Sequence, residues 1–202
     1  NASTAPSPDT PADLASFMCS KYHEAGDFVL GTYTANLRKQ KDAVILVLER
    51  EGKVASLRAR LRKTLLLRPS RPEFVVRYEI ANGDREELNT TFGSEFNFSL
   101  LAGNAPDRYY EIPGHVLDKR NLASIGETSN VDRVSLVDEW LKLKATLEFS
   151  QPAILWRAPV ETVSQSEAGF ERVYQSSMVM PLWRISLGPG KAWKTEIRVR
   201  IE

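Results

Sequence analysis

Read in steps of two, most of this chain separates into an apolar row and a polar row. In AWKTEIRVRI (192–201), Trp193, Thr195, Ile197, Val199 and Ile201 fall on one side, and Lys194, Glu196, Arg198 and Arg200 on the other. In WLKLKATLEF (140–149), Leu141, Leu143, Ala145, Leu147 and Phe149 oppose Lys142, Lys144, Thr146 and Glu148. A period of two is that of a half-buried strand. The same reading predicts strands over 28–37, 43–51, 54–61, 63–68, 74–81, 90–102, 153–163 and 170–187. Turn signals stand at Gly52-Lys53, Asn82-Gly83 and Gly188-Pro189-Gly190. About ten short strands with almost no helix predict an all-β fold, a large antiparallel β-sandwich.

Three stretches break this rhythm or add to it. Residues 1–12 are rich in Pro, Ser, Thr and Ala and read as a linker. DLASFMCSKYHE (13–24) spaces Leu14, Phe17, Met18 and Tyr22 as a helix does, with Asp13 as its N-cap. Residues 1–25 are therefore expected to be a tag remnant, a linker and a short docking helix, and 26–202 the β-sandwich domain. The opening Asn-Ala-Ser, without Met, reads as a cloning remnant, with a segment expected to have been removed upstream. Residues 103–132 form a connection of about 30 residues, a length that in a compact domain usually serves a function or covers something.

FGSEFNFSLL (92–101) carries its two rows plainly. Phe92, Phe96, Phe98 and Leu100 are expected in the core, and Glu95, Asn97 and Ser99 form the opposite polar row. That row has three readings: a sugar-contact face, a joint to another domain, or the wet side of a strand.

Composition narrows the function classes. Lys+Arg is 27 and Asp+Glu is 26 in 202 residues, so the clustered basic excess of a nucleic-acid binder is missing. The basic segment RARLRK (58–63) alternates with apolar residues and reads as the solvated face of a strand. Apolar runs fall well short of the roughly 20 residues that span a bilayer. No nucleic acid and no membrane is expected as a partner. With one cysteine no internal disulfide forms, which fits a reducing, cytoplasmic location.

Candidate chemistry is sparse. Two histidines and one cysteine cannot make a zinc set. No cofactor motif is present and none is expected; a structural calcium site built from scattered carbonyls and Asp residues stays unreadable in sequence. Cys19 and His23 stand four apart and read as two positions of one amphipathic helix. Carboxylates are many, but the facing pair a glycosidase needs, about 5 Å apart in retaining enzymes, is invisible in sequence. Of the four tryptophans, Trp183 and Trp193 read as core. Trp140 shares a strand face with Lys142, Lys144 and Thr146. Trp156 opens WRAPVETVSQSE (156–167), which is dense in hydrogen-bonding groups.

GDFVLGTY (26–33), FGSEFNFSLLAGNAPDRYY (92–110) and SLVDEWLKLKATLEFSQPAILWRAPVETVSQSEAGFERVYQSSMVMPLW (135–183) carry a resemblance. In order and spacing they are similar to the C-terminal domain of prokaryotic α-amylase/4-α-glucanotransferases of glycoside hydrolase family 57. The W-R-x-P-x-E-T-V-S-Q-S-E and Y-Q-S-S segments are the most specific. The resemblance implies an N-terminal (β/α) barrel with the catalytic carboxylates, and a galactose mutarotase-like supersandwich packed against it. This chain has no βα alternation, so the barrel lies outside it. Galactose mutarotases use a His/His/Glu set. Here His23 falls in the linker region and His115 in the long connection, so that catalysis is not carried over.

The reading that follows is a non-catalytic C-terminal β-sandwich domain of a glucan-acting glycoside hydrolase/4-α-glucanotransferase. Enzyme activity is expected of the parent and not of this chain alone. Its expected partners are the catalytic domain of the same chain and α-glucan oligosaccharide. Glu95, Asn97, Ser99, Trp140, Trp156, Arg157, Glu161 and Gln165 are the candidates for sugar contact or for the interdomain joint. The alternative is a stand-alone sugar-active enzyme of the mutarotase/epimerase type.

Overall fold

Alternating apolar and polar side chains form strands here because each pleated ribbon can bury one row and solvate the other. The computed structural model describes residues 13–166 and 169–202. The linker reading of residues 1–12, and Glu167, lie outside the described residues. Among the described residues, one short helix is followed by eleven strands. They are α1 (Leu14–Met18), β1 (Thr34–Gln40), β2 (Ala43–Val54), β3 (Leu57–Leu67), β4 (Glu73–Asn82), β5 (Leu88–Gly93), β6 (Phe96–Phe98), β7 (Arg108–Glu111), β8 (Gly126–Asp138), β9 (Leu143–Ser166), β10 (Gly169–Leu187) and β11 (Ala192–Ile201).

The helix is shorter than its spacing predicts. Asp13 caps it, its carboxylate accepting from the Ala15 and Ser16 amides at 3.2 and 3.1 Å. It ends at Met18, and Ser20 takes a left-handed φ of 54°. No residue of α1 is buried, and a helix this short has little support without packing. Cys19 and His23 are both exposed and do not share a helix face.

The first strand begins later than expected. The segment before Thr34 folds back on itself, with the Tyr33 hydroxyl donating to the Phe28 carbonyl at 2.9 Å. The β2–β3 hairpin turns at Ala55-Ser56 and not at Gly52-Lys53. Gly52 lies inside the ladder opposite Ala59. A Cβ there would meet the Asp27 carboxylate, which accepts from the Lys53 amide at 2.9 Å. That glycine serves a close approach, while Ala55 carries the positive φ of the turn, 52°.

The described chain divides into two compact units. One comprises the residues up to Phe92 together with Trp183–Arg198. In it β1–β2, β2–β3 and β3–β4 pair antiparallel. Its core holds an aromatic cluster: Phe92 lies 5.0 Å from Tyr78, 6.3 Å from Trp183 and 5.8 Å from Trp193, centroid to centroid. Trp183 is buried as expected, and Phe92 and Trp193 are half-buried in the same cluster.

The other unit comprises Gly93–Leu182 and Val199–Glu202. Its strands pair antiparallel as β7–β8, β8–β9, β9–β10 and β10–β6. Tyr110, Leu122, Val131, Val134, Leu136, Leu147, Leu155 and Trp156 fill its core, each 2% exposed or less. The long connection predicted over 103–132 contains β7 and the start of β8, which sequence periodicity missed. β8 is irregular between Thr128 and Arg133, with Asn130 at φ 60°, and these bulges scramble its period of two.

Candidate functional site

The second unit places an arginine where a core residue would be expected. Arg157 lies in β9 directly opposite Gly126 of β8 and is 6% exposed. Paired residues in an antiparallel ladder point to the same face, so the guanidinium passes over Gly126. A Cβ at Gly126 would stand 2.6 Å from Nη2 and 3.0 Å from Cζ of Arg157. Any side chain at this position would require the guanidinium to shift.

The remainder of the long connection, 112–125, closes over this arginine. Arg157 Nη1 donates to the Ser124 hydroxyl and, at 3.1 Å, to the Lys119 carbonyl. The guanidinium carbon lies 5.6 Å from the Tyr110 ring centroid, a long cation–π contact. Nε, buried, has no hydrogen-bond partner. No carboxylate of the described residues lies within ion-pair distance of Arg157. Burial pulls its pKa below the ordinary arginine value, yet a guanidinium stays cationic at neutral pH.

The loop itself is pinned from below. The Leu122 carbonyl accepts from Tyr110 Oη at 3.3 Å and from Ser177 Oγ at 2.8 Å. Ser177 and Tyr174 share a hydroxyl–hydroxyl bond of 2.6 Å. The Ala123 amide donates to the Gly103 carbonyl at 2.8 Å. Burial pushes the Tyr110 and Tyr174 hydroxyls up, so both remain protonated donors at neutral pH. Beside the arginine an open cleft of about 590 Å³ is lined by His115, Asp118, Lys119, Gly126, Glu127 and Arg157, among others.

The candidates read from sequence fall in separate places. Trp156 is 2% exposed, and its indole N–H donates to Glu127 Oε2 at 2.6 Å. It is a core residue with a satisfied polar edge. Arg157 lines the cleft. Glu161 and Gln165 lie further along β9, where the β9–β10 hairpin exposes residues 160–165 and 169–173 on both faces. Glu161 pairs with Arg172 at 3.4 Å. The register puts Glu161 opposite Tyr174, Val163 opposite Arg172 and Gln165 opposite Phe170. These residues share one face of the arm, and on it Phe170 is 80% exposed and Val163 64%.

Trp140 stands in the turn between β8 and β9 rather than on a strand, and is 76% exposed. Glu95, Asn97 and Ser99 are exposed, and Asn97 Nδ2 donates to Glu95 Oε1 at 2.7 Å. None of the three lines the cleft. Their apolar companions Phe96 and Phe98 are half-buried and Leu100 is buried. Tyr110, Ser124, Gly126 and His115 were not singled out from sequence as site residues. The length of the connection was the available signal. Among the described residues no group of three or more His, Cys, Asp and Glu side chains is placed to hold a metal ion.

The geometry defines an all-β protein of antiparallel sandwich class, with a loop-covered arginine cleft at the root of an exposed hairpin. Over residues 8–197 the chain matches the family described as Alpha-amylase/4-alpha-glucanotransferase, C-terminal, and it belongs to that family. It is 37% identical over 128 residues to Alpha-amylase 1 of Dictyoglomus thermophilum, covering 60% of this chain and 17% of that protein. The 4-alpha-glucanotransferase of Thermococcus litoralis superposes with a TM-score of 0.68 at 25% identity, over 94% of this chain and 26% of that one. A putative aldose 1-epimerase of Escherichia coli K12 superposes with a TM-score of 0.63 at 12% identity, covering 86% of this chain and 69% of that one. That likeness, and those to galactose mutarotase-like proteins, is one of fold. The chain spans 17 to 21% of the length of the curated relatives it matches.

Proposed function

We propose that this chain is the non-catalytic C-terminal β-domain of an enzyme acting on α-glucan, and that the β9–β10 arm is its joint to the catalytic domain. The exposed Val163–Phe170 face carries this reading. Two large apolar side chains left in water on one face, among Glu161, Gln165 and Arg172, match the mixed polarity of interdomain surfaces. The relatives supply the occupant, since each is several times longer than this chain. In the full-length enzyme, Val163→Ser with Phe170→Ser is expected to split one thermal transition into two. In the chain alone the same pair shifts stability by less than about 0.5 kcal/mol per site. One unsplit transition in the double variant contradicts the joint.

A second reading rests on Trp140, whose indole is open to solvent and suited to stacking on a sugar ring. Titration with maltoheptaose is then expected to give saturable tryptophan fluorescence changes that vanish in Trp140→Ala. No change up to millimolar sugar excludes direct glucan contact by this chain.

A further inference from the structure

The charge of Arg157 is not matched by its surroundings. A buried cation without a counter-charge costs several kcal/mol in an apolar setting, and proteins normally pair it. Here Nη1 is engaged by the Ser124 hydroxyl and the Lys119 carbonyl. Nε is buried and unpartnered, and the guanidinium itself occupies the space over Gly126 and lines the cleft. The two acidic residues nearest in sequence do not answer it. Glu127 follows Gly126 and so points to the other face of the ladder, where it takes the Trp156 indole N–H. Asp118 is exposed on the loop; it and Glu127 are also among the residues of the cleft lining, and neither pairs with the guanidinium. Lys119 and the half-buried His115 line the same cleft.

We infer that this cleft binds a small oxyanion, a phosphate or carboxylate group, held by the Arg157 guanidinium where it lines the cleft beside Gly126. The planar fork of an arginine fits such a group in two-point contact, which a lysine does not reproduce. Lys119 adds a second positive charge at the cleft wall, and Thr128 is among its lining residues. The inference is independent of the joint and of glucan contact, because neither the arm face nor Trp140 lines the cleft.

The test titrates the chain with sodium phosphate and with sodium acetate, against sodium chloride at matched ionic strength, by calorimetry and by thermal unfolding. Saturable binding of phosphate, of acetate or of both, with no effect of chloride, is expected. The tighter of the two identifies the class. Arg157→Lys is expected to weaken binding at least about tenfold while retaining the charge. Should that variant fail to fold, Gly126→Ala keeps the arginine but pushes its guanidinium out of place, and the same loss is expected. Lys119→Gln should weaken binding less than either. Equal responses to phosphate, acetate and chloride overturn the proposal. Unchanged affinity in both Arg157→Lys and Gly126→Ala overturns it as well.

Discussion

Arg157 and Gly126 act as one feature: the guanidinium lies across the glycine, in the space a Cβ would take. Gly126→Ala forces that pinned group to move and is expected to cost about 1–3 kcal/mol, as overpacking does. Urea unfolding checks it, with an unchanged midpoint as the contrary result. A second residue-scale prediction concerns Asp138, which is fully buried and accepts from Arg108 Nε at 2.9 Å and from the Leu141 amide at 2.9 Å. Burial alone pushes this carboxyl up, but the Leu141 amide and Arg108 outweigh it and hold the pKa below the usual value. Its folded pKa lies under its unfolded one, so its contribution is complete above about pH 4. The contribution is lost as pH falls through the folded value. Unfolding midpoints measured between neutral and acid pH should therefore fall less steeply in Asp138→Asn than in the parent. Identical slopes would mean that the ion pair contributes nothing to acid stability.

At the scale of elements, the pattern of two was a reliable guide wherever a strand ran regular with one face buried. β4, β10 and β11 lie within about a residue of their sequence limits. It failed where something other than the pleat decides the chain's course. Residues 140–149 and 153–163 read as two strands, yet β9 runs on from Leu143 to Ser166 through Pro152. The start of β8 was hidden by its bulges. Glycine misled most clearly at the β2–β3 hairpin, where its missing side chain makes room for Asp27 and not for a turn. That difference is testable. Ala55→Gly relieves a left-handed alanine and is expected to stabilise by up to about 1 kcal/mol. Gly52→Ala collides with the Asp27 carboxylate and destabilises. The opposite ranking in thermal unfolding would return the turn to Gly52.

For the molecule as a whole, sequence pattern reached the fold class and its family resemblance, while the candidate site was legible in it only in part. Arg157 and the arm residues Glu161 and Gln165 were singled out because hydrogen-bonding side chains crowd that segment. What holds Arg157 was not legible. Ser124, Tyr110 and Gly126 come together only through the folding of a long connection whose local pattern has no period. Trp156 showed the opposite limit: a large aromatic beside an arginine resembles a binding platform in sequence, and its burial against Glu127 makes it core.

The central claim is that the exposed arm face joins this domain to a catalytic partner. The most direct measurement is calorimetric titration of this chain into the separately produced catalytic part of its parent enzyme. The account predicts saturable association that Val163→Ser with Phe170→Ser abolishes while the variant chain stays folded. Absence of association, or association at the same affinity in the double variant, would contradict it.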